Sequence, residues 1–350
     1  MTKERVFVGF SGGVDSFAAA FLLKEAGYEV TAVHLILYDP TPEETEKHLR
    51  ALTDNLDIPL ITKDLRDRFR DTIIAPFAES YLSGRTPNPC VWCNERIKLQ
   101  ALSELAEKHG VSRIATGHYA KKGFDDTRRR WFIQRGRDRK KDQSYFLSFV
   151  SQAHLRQLLL PLGDRIKADL VSKIRVEGYP VEERPESHDI CFLQDTSFAE
   201  FITSWAKPGR KKGTFVNREG KILGTHHGFY RFTIGQRRGI GIADRTPYYV
   251  TALFPEKNQV RIGKAEDLYR STFRVTDCHW HLPPDDDTLN IHCHIRYRHT
   301  AAPAILKVQN PRQGEVTFRK PQRAITPGQI AAFYQGDSLI GTGVIDTVSE

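Results

Sequence analysis

The sequence predicts an α/β fold in which a doubly wound parallel sheet is followed by a small mixed middle domain and a C-terminal antiparallel β-barrel. Three observations support this prediction. An apolar strand near the N-terminus runs through glycines into a helix, strands alternate with helices over about the first 120 residues, and short segments separated by Gly and Pro follow roughly residue 200. Alternation of strands and helices indicates a parallel sheet covered on both faces, and a succession of short strands is typical of a barrel.

The first element is the strand over residues 6–10, which leads into Ser11-Gly12-Gly13-Val14-Asp15-Ser16 and then into an apolar helix that ends at Gly27. Glycines let the backbone approach an anion closely, and the N–H groups and positive dipole end of the helix face that anion. The segment lacks the lysine of the G-x-x-x-x-G-K-[ST] pattern and the G-x-G-x-x-G spacing of dinucleotide-binding loops. We interpret it as a nucleotide-phosphate loop of another kind rather than as a plain capped turn.

The next elements continue the alternation. Hydrophobic patterns predict strands over 30–37, 58–61 and 111–116, and helices over 42–55, 65–82 and 95–109. Ligands bind at the carboxyl ends of parallel strands, which is where Ser11, Gly117 and His118 are expected. Beyond Trp205 no long helix is predicted, and strands are predicted over 248–253, 316–318 and 330–334. We expect three domains, over residues 1–202, 203–268 and 269–350.

Composition restricts the class of protein. The chain has 350 residues, of which 39% are hydrophobic and 27% charged, and it has no apolar run of membrane-spanning length. These values predict a globular protein of more than one domain, without membrane association. The N-terminus leads directly into the first strand, so no export or transit signal is predicted and we expect a cytoplasmic protein. Five cysteines in such a chain indicate reactive or metal-binding thiols rather than a disulfide framework.

The net charge of +9 is unevenly distributed. Residues 121–143 contain ten Lys and Arg against four Asp, and smaller basic clusters lie at 207–212 and 235–239. A solvated basic face would explain any one cluster by itself. Three clusters together favour contact with the phosphate backbone of a nucleic acid.

Three cysteines are candidates for chemistry. A proline-rich loop carries Cys90 and is expected to bring Cys93 to the start of a helix. There the helix dipole, together with Arg96 and Lys98, is expected to lower the pKa of the Cys93 thiol and to favour the nucleophilic thiolate. Cys191 lies far along the chain in a second polar segment.

Seven motifs occur in a fixed order along nearly the whole chain. They are S-G-G-V-D-S at 11–16, T-P-N-P-C-V-W-C-N at 86–94, G-H-Y-A at 117–120, K-D-Q-S-Y-F-L at 141–147, D-I-C-F at 189–192, T-I-G-Q-R at 233–237 and I-R-Y at 295–297. In these motifs the chain resembles the tRNA-specific 2-thiouridylase family, within the PP-loop ATP pyrophosphatases of adenine-nucleotide α-hydrolase-like fold. The resemblance implies an enzyme that adenylates the wobble uridine of tRNA with ATP and replaces its 2-oxygen by sulfur, giving 2-thiouridine.

The resemblance also implies roles for particular residues. ATP, accompanied by Mg²⁺, would be bound by Gly9, Phe10, Ser11, Gly12, Gly13, Val14, Asp15, Ser16, Leu35 and Gly117. The anticodon region of tRNA would be contacted by Asn88, Pro89, Cys90, His118, Lys141, Asp142, Gln143, Arg296, Tyr297 and Gln329, the first three of them at the target base. Cys191 would carry a persulfide, Cys93 would be its partner thiol, and a persulfide or sulfide donor protein would supply the sulfur.

One position departs from the family pattern. The family usually has Asp where this chain has Cys90, and that Asp has been given a role in proton transfer or metal binding. Cys90 could take over this role as a thiolate. It could also join Cys93 and Cys191 as the three ligands of a [4Fe–4S] cluster with one open iron. A persulfide relay and a cluster thus both remain open, with the relay favoured, and zinc would need a fourth ligand such as His188.

Two other classes of protein compete with this interpretation. An ATP-dependent amide-forming synthetase could share the loop, but it would need an ammonia source, and the sequence shows neither a glutaminase domain nor a use for the cysteines in that reaction. A non-catalytic RNA-binding protein with a degenerate loop is disfavoured because Ser11, Asp15 and Ser16 are all intact.

Overall fold

The computed structural model describes residues 3–39, 41–179, 190–193, 196–207 and 212–349. The strands of its N-terminal half are β1 (Arg5–Gly9), β2 (Glu29–Ile36), β3 (Leu60–Asp64), β4 (Arg113–Ala115), β5 (Ala120–Asp125), β6 (Arg130–Arg135) and β7 (Leu158–Leu159). The helices are α1 (Val14–Glu25), α2 (Pro42–Asn55), α3, α4, α5 (Gln152–Gln157) and α6 (Lys167–Val176). Helix α3 consists of Arg66–Phe69, a π-helical turn Arg70–Ile74 and Ala75–Leu82, and α4 of Pro89–Cys93, a π-helical turn Asn94–Leu99 and Gln100–Lys108. Among these residues no helix has the length and apolar character needed to cross a membrane.

Five of these strands form an all-parallel sheet in the order β3-β2-β1-β4-β7. The central strand is buried on both faces, with Val6 and Val8 inaccessible to solvent on one face and Phe7 buried on the other. Helix α1 packs on one face through Phe17, and α4 packs on the other through Leu102. A continuous apolar strand is what a sheet covered on both faces requires, and the predicted doubly wound parallel sheet is confirmed.

Helix α4 starts earlier than predicted, at Pro89 rather than at residue 95. The side chain of Asn88 caps it by accepting a hydrogen bond from the Cys90 N–H at 3.2 Å. Proline at the first helical position costs no hydrogen bond and presets the helical φ. The prolines that were interpreted as stiffening a loop therefore initiate the helix. Cys90 lies in its first turn, and Cys93 lies one turn further in.

The middle part of the chain contains α7 (Phe198–Ala206) and a four-stranded sheet. Its strands are β8 (Gly213–Val216), β9 (Ile222–His226), β10 (Tyr249–Phe254) and β11 (Gln259–Gly263), in the order β10-β11-β8-β9. The β11–β8 pair is parallel and the other pairs are antiparallel, so the sheet is mixed, as predicted. Phe215, Val250 and Val260 form its buried core.

The C-terminal strands close into a barrel. They are β12 (Tyr269–Trp280), β13 (Thr288–His294), β14 (Ala302–Asn310), β15 (Gln313–Arg323), β16 (Ile330–Gln335) and β17 (Ser338–Val348). All neighbouring pairs are antiparallel, and pairing of β12 with both β15 and β17 closes the ring. Phe273, Leu306 and Phe333 are among the residues that fill the interior. The predicted antiparallel barrel is confirmed.

The hairpin β5–β6 connects the N-terminal half of the chain with the C-terminal barrel, a contact that the sequence did not predict. Strand β6 pairs with β17 through Ile133 opposite Leu339, so a hairpin from the N-terminal half extends the barrel sheet. At least seven of the ten cations in the predicted basic segment bind protein groups. Four pair with carboxylates: Lys121 with Asp164, Arg128 with Asp125 and Asp285, Arg135 with Asp142, and Arg139 with Asp337. Three donate to backbone carbonyl oxygens: Lys122 to Leu155 and Leu158, Arg130 to Trp280 and His281, and Arg137 to Asp164. The charge of four of the ten cations is therefore offset by carboxylates within the fold. Arg210 and Lys211 of the second basic cluster lie outside the described residues.

Candidate active site

The loop between β1 and α1 has the backbone geometry of an anion cradle. Gly12 has a φ of +76°, a left-handed conformation that favours glycine, and Gly13 caps α1 without a side chain. The Ser16 hydroxyl closes the loop by donating to the Gly13 carbonyl oxygen at 2.9 Å and accepting from the Ser11 N–H at 3.2 Å. The free N–H groups at the start of α1 are thereby left pointing into the space in front of the loop.

Gly117 at the end of β4 is required by close packing against this loop. A Cβ atom at residue 117 would lie 2.6 Å from the backbone oxygen of Asp15, closer than real Cβ contacts. Any other residue would push the end of β4 away from the first turn of α1. The predicted place of Gly117 beside the loop thus has a steric reason.

A pocket of about 280 Å³ lies on one side of the loop. Its lining is mainly apolar, with Phe10, Val33, Leu35, Leu37, Leu102 and Gly117 among the contributing residues. His118 also lines it, and its Nδ1 is 2.8 Å from the Thr116 hydroxyl. Burial lowers the pKa of His118 to about 3, with a smaller contribution from Lys98, so the ring is neutral at physiological pH. An apolar pocket with a few polar groups suits a nucleoside.

A larger cleft of about 760 Å³ lies on the other side of the loop. Ser11, Asp15, Ser16 and Gln143 line both spaces, so the loop forms the wall between them. Further parts of the wall come from the start of α4, from the barrel, from Lys167 and from Ile190, the neighbour of Cys191 in the chain. The aromatic rings of Phe146 and Tyr297, whose centroids are 4.3 Å apart, also line this cleft.

Most of the predicted site residues surround these two spaces. Eight of the ten predicted tRNA contacts line the larger cleft, namely Asn88, Pro89, Cys90, Lys141, Gln143, Arg296, Tyr297 and Gln329. All the predicted ATP-binding residues except Gly12 line one space or both. Of the two other predicted tRNA contacts, His118 lines the smaller pocket instead, and Asp142 lines neither space. Asp142 is directed into the protein, where it pairs with Arg135 at 3.3 Å and accepts hydrogen bonds from Gly136 and Ser144.

The expectation of a low pKa for the Cys93 thiol is wrong. Burial raises its pKa to about 12, and the nearby Lys98 ammonium offsets only part of that effect. Arg96 does not face the thiol, because its guanidinium stacks over the Trp92 ring at 4.2 Å from the centroid. Cys93 is therefore a protonated thiol in this structure at neutral pH.

The thiols of Cys90, Cys93 and Cys191 lie near one another. Cys191 raises the pKa of both Cys90 and Cys93 by charge repulsion, in addition to the larger effect of burial. The residue after Cys191, Phe192, shares an apolar cluster with Cys93. Cys191 is exposed to solvent as a residue. Its sulfur is nevertheless largely surrounded by protein, and this burial raises the pKa of the Cys191 thiol as well. The three thiols thus lie beside the cleft that the β1–α1 loop faces.

Known proteins match this chain over nearly its whole length. Three family models match it, the tRNA methyl transferase HUP domain over residues 4–195, the tRNA methyl transferase PRC-barrel domain over 200–264 and the aminomethyltransferase beta-barrel domain over 270–345. The chain is 41% identical over 340 residues to the tRNA-specific 2-thiouridylase MnmA of Desulforudis audaxviator, covering 97% of this chain and 98% of the relative. It is also 41% identical over 355 aligned residues to the tRNA-specific 2-thiouridylase MnmA of Moorella thermoacetica, covering 98% and 99%.

The chain belongs to the tRNA-specific 2-thiouridylase MnmA family. Membership of this 2-thiouridylase family makes it a sulfurtransferase, and its HUP domain implies the use of ATP. The loop fits that nucleotide, since its glycines leave the backbone open to phosphate and the apolar pocket beside it can take the adenosine. Within the described ranges no group of three or more His, Cys, Asp or Glu side chains is placed to hold a metal ion.

The iron–sulfur alternative for this 2-thiouridylase would use Cys90, Cys93 and Cys191 as ligands. These thiols interact electrostatically, yet they are not among any metal-binding group found in the described part of the chain. His188, the suggested fourth ligand of a zinc site, lies outside that part. The chemistry proposed below uses the three thiols alone.

Sequence reasoning missed several residues of the 2-thiouridylase cleft. Lys167 and Tyr119 both contact Asp15 of the loop, and Phe146 and Arg298 line the cleft without having been singled out. Lys167 lies far from the loop in sequence and starts an unremarkable amphipathic segment, so no local pattern marks it. The signal that could have found it is the loop itself, which has an acidic residue and no lysine of its own.

Proposed function

We propose that this enzyme adenylates the wobble uridine in the anticodon region of a tRNA and replaces the 2-oxygen of that uridine by sulfur. One observation carries the proposal: a single cleft is lined by the phosphate loop, by Asn88–Cys90 and by Arg296–Tyr297, with the thiols of Cys93 and Cys191 close by. Activation by ATP and delivery of sulfur must act on the same carbon, so both sets of groups have to meet in one space.

Each of the two spaces would hold one substrate. The adenosine of ATP would occupy the smaller pocket beside Leu35 and Gly117, with its phosphates at the N-terminus of α1. The uridine would enter the larger cleft after leaving the anticodon stack, and the aromatic rings of Phe146 and Tyr297 offer it a stacking surface. Lys141 and Arg296 would face the phosphates and ribose of the surrounding nucleotides.

Adenylation converts the 2-oxygen of uridine, a poor leaving group, into part of AMP, which is a good one. The uridine O2 forms a bond to the α-phosphorus of ATP, the bond to the bridging oxygen breaks, and pyrophosphate leaves with the electron pair. The terminal sulfur of a persulfide on Cys191 then attacks C2, and AMP leaves. The Cys93 thiolate attacks the Cys191 sulfur, so that 2-thiouridine departs with its sulfur and a Cys93–Cys191 disulfide remains.

An alternative order of the last steps leads to the same disulfide and the same 2-thiouridine. Cys93 could attack the persulfide first, freeing hydrosulfide that attacks C2 and again leaving a Cys93–Cys191 disulfide. In both orders a thiol reductant must restore the pair, and a donor protein that carries a persulfide must then transfer its outer sulfur to the Cys191 thiol. Because burial keeps Cys93 protonated, it has to lose a proton as it reacts, and Lys98 is the nearby cation that favours its thiolate. Cys90 would serve as the acid–base group in place of the family Asp.

We also propose that the chain is divided into an ATP-binding catalytic domain over residues 1–202, a small tRNA-binding domain over 203–268 and a barrel over 269–350. The three sheets and the separate ranges of the three family models support this division. The hairpin β5–β6 belongs to the first domain in sequence, although it pairs with the barrel.

The variant Cys191→Ser separates adenylation from sulfur transfer. With tRNA, ATP and a persulfide donor, we expect it to release pyrophosphate at a rate close to that of the wild type but to form no 2-thiouridine, measured by mass spectrometry of digested tRNA. Cys278→Ser, in the barrel, is the matched control and should form 2-thiouridine normally. Thiolation by Cys191→Ser would overturn the persulfide assignment, and absence of tRNA-dependent pyrophosphate release in the wild type would overturn adenylation.

An iron assay after anaerobic purification tests the cluster alternative directly, and we expect no stoichiometric iron.

A further inference from the structure

Lys167, the first residue of α6, places its ammonium group at the mouth of the phosphate loop. Its Nζ lies 3.0 Å from each carboxylate oxygen of Asp15, and the Tyr119 hydroxyl donates to one of these oxygens at 3.2 Å. The Lys167 side chain is 12% exposed, and it lines the larger cleft together with Ser11 and Gly13. The ammonium group is thus both buried against the loop and in contact with the space in front of it.

The loop has no lysine of its own. In loops of the G-x-x-x-x-G-K-[ST] pattern, the lysine after the glycines reaches the β and γ phosphates of the nucleotide. Here Val14 and Asp15 follow Gly13 instead. A carboxylate at this point repels phosphate oxygens unless a cation offsets its charge. Lys167 supplies such a cation from a helix that lies far along the chain.

The position of Lys167 is fixed before any substrate binds. Leu170 and Ile174 of α6 belong to the same buried apolar cluster as Phe17 of α1, so the two helices are packed together. The backbone N–H of Lys167 donates to the Asp138 carboxylate at 3.1 Å, which secures the start of α6. A charge held rigidly in a partly buried site stabilises charge that develops during a reaction without further reorganisation.

We propose that Lys167 binds the β and γ phosphates of ATP and stabilises the departing pyrophosphate. This inference rests on the proposed adenylation. In that step the bond from uridine O2 to the α-phosphorus forms, the bond to the bridging oxygen breaks with its electron pair going to pyrophosphate, and the N3 proton of the uridine passes to solvent. Lys167 keeps its proton throughout and offsets the negative charge that pyrophosphate gains.

The test compares Lys167→Met and Lys167→Arg with the wild type. For Lys167→Met we expect the affinity for ATP, measured by isothermal titration, to fall about tenfold or more. We expect tRNA-dependent pyrophosphate release to fall about 100-fold. The affinity for AMP should not change, because AMP lacks the phosphates in question, and an unchanged AMP affinity also shows that the variant is folded. Lys167→Arg should recover part of both losses.

Lys173→Met is the matched control. Lys173 lies on the same helix, is half exposed and pairs with Glu25 at 2.7 Å on the protein surface. Its loss should leave ATP affinity and pyrophosphate release unchanged. A Lys167→Met enzyme that released pyrophosphate at the wild-type rate would overturn this inference while leaving the proposed function intact. A wild type that bound no ATP would overturn the proposed function itself.

A double variant distinguishes direct contact from mere neutralisation of Asp15. If Lys167 acted only by offsetting the Asp15 charge, Asp15→Asn combined with Lys167→Met would restore wild-type ATP affinity, and that outcome would overturn the inference. We expect the double variant to bind ATP as weakly as Lys167→Met. The titration is done without divalent cations, so that a metal ion near Asp15 does not contribute.

Discussion

The side-chain amide of Gln329 donates a hydrogen bond to the backbone carbonyl oxygen of Thr86 at 2.9 Å, so a turn of the barrel holds the segment that leads into α4. The Thr86 N–H donates to the Pro327 carbonyl oxygen in the same turn, also at 2.9 Å. These bonds join residues that are far apart in sequence. The C-terminal barrel therefore fixes the position of the first turn of α4 and of the cysteine in it.

We expect Gln329→Ala to loosen this segment. Loss of the hydrogen bond should lower the free energy of unfolding by about 1 kcal/mol. The thiol of Cys90 should react faster with iodoacetamide in the absence of tRNA, because the turn that holds it is less fixed. Gln335→Ala, at the exposed end of β16, is the control. If Gln329 served only as a tRNA contact, the alkylation rate of Cys90 in the free enzyme would not change.

Lys98 should set the reactivity of the thiols. Its ammonium lowers the pKa of Cys90, Cys93 and Cys191 against the larger upward effect of burial. Lys98→Met should raise all three pKa values, so that at any given pH less thiolate is present and alkylation is slower. The pH profile of single-turnover sulfur transfer should move to higher pH. Lys108→Met, at the other end of α4, should not move it, and an unmoved profile in Lys98→Met would refute the assignment.

Asp142 should contribute to the stability of the fold rather than to the binding of tRNA. Its side chain is 10% exposed and that of its partner Arg135 is 18% exposed. Removing one partner of such a pair leaves an uncompensated charge, so Asp142→Ala should lower the free energy of unfolding in urea by about 3 kcal/mol. The affinity of the folded variant for tRNA should stay as in the wild type. Asp126→Ala, on the exposed turn of the hairpin, is the control, and a loss of tRNA affinity at unchanged stability would contradict this assignment.

Cys90→Asp tests whether Cys90 takes the part of the usual family Asp. We expect Cys90→Asp to keep thiolation and Cys90→Ala to lose most of it. Burial raises the pKa of Cys90, so the wild-type rate should still be rising at alkaline pH. A carboxylate ionises at much lower pH, and the Cys90→Asp profile should therefore be flat in that range. An inactive Cys90→Asp variant would instead point to a role that only sulfur can fill.

Local pattern was enough to predict the sheet and the loop, and the residues that line most of the cleft were implied by the family resemblance. The apolar strand over residues 6–10 and the glycines after it are short-range signals, and they place the loop at the carboxyl end of a parallel strand. The motifs that indicated tRNA contact also recur around one cleft, although they lie on elements far apart in the chain.

What the sequence did not reveal depends on contacts between distant segments. The high pKa of Cys93 follows from burial, and burial is set by tertiary packing with Phe192 and other apolar residues of the same cluster. The ion pair of Lys167 with Asp15 joins helices α6 and α1, and the two residues are 152 positions apart in the sequence. The positive charge of the hairpin β5–β6 looked available for nucleic acid because its acidic partners, such as Asp285 and Asp337, lie in the barrel.

The pairing of Ile133 with Leu339 also bears on how the protein can be cut or redesigned. Ile133 is fully buried in an apolar cluster that contains Leu102 from helix α4, which covers the parallel sheet, and Tyr334 from the barrel. A fragment ending before β12 would keep the hairpin but leave the outer edge of β6 with open backbone hydrogen-bonding groups and an uncovered isoleucine, which is a template for self-association. The nucleotide-binding half is therefore not a detachable module, and an excised version would need a new cover along that edge.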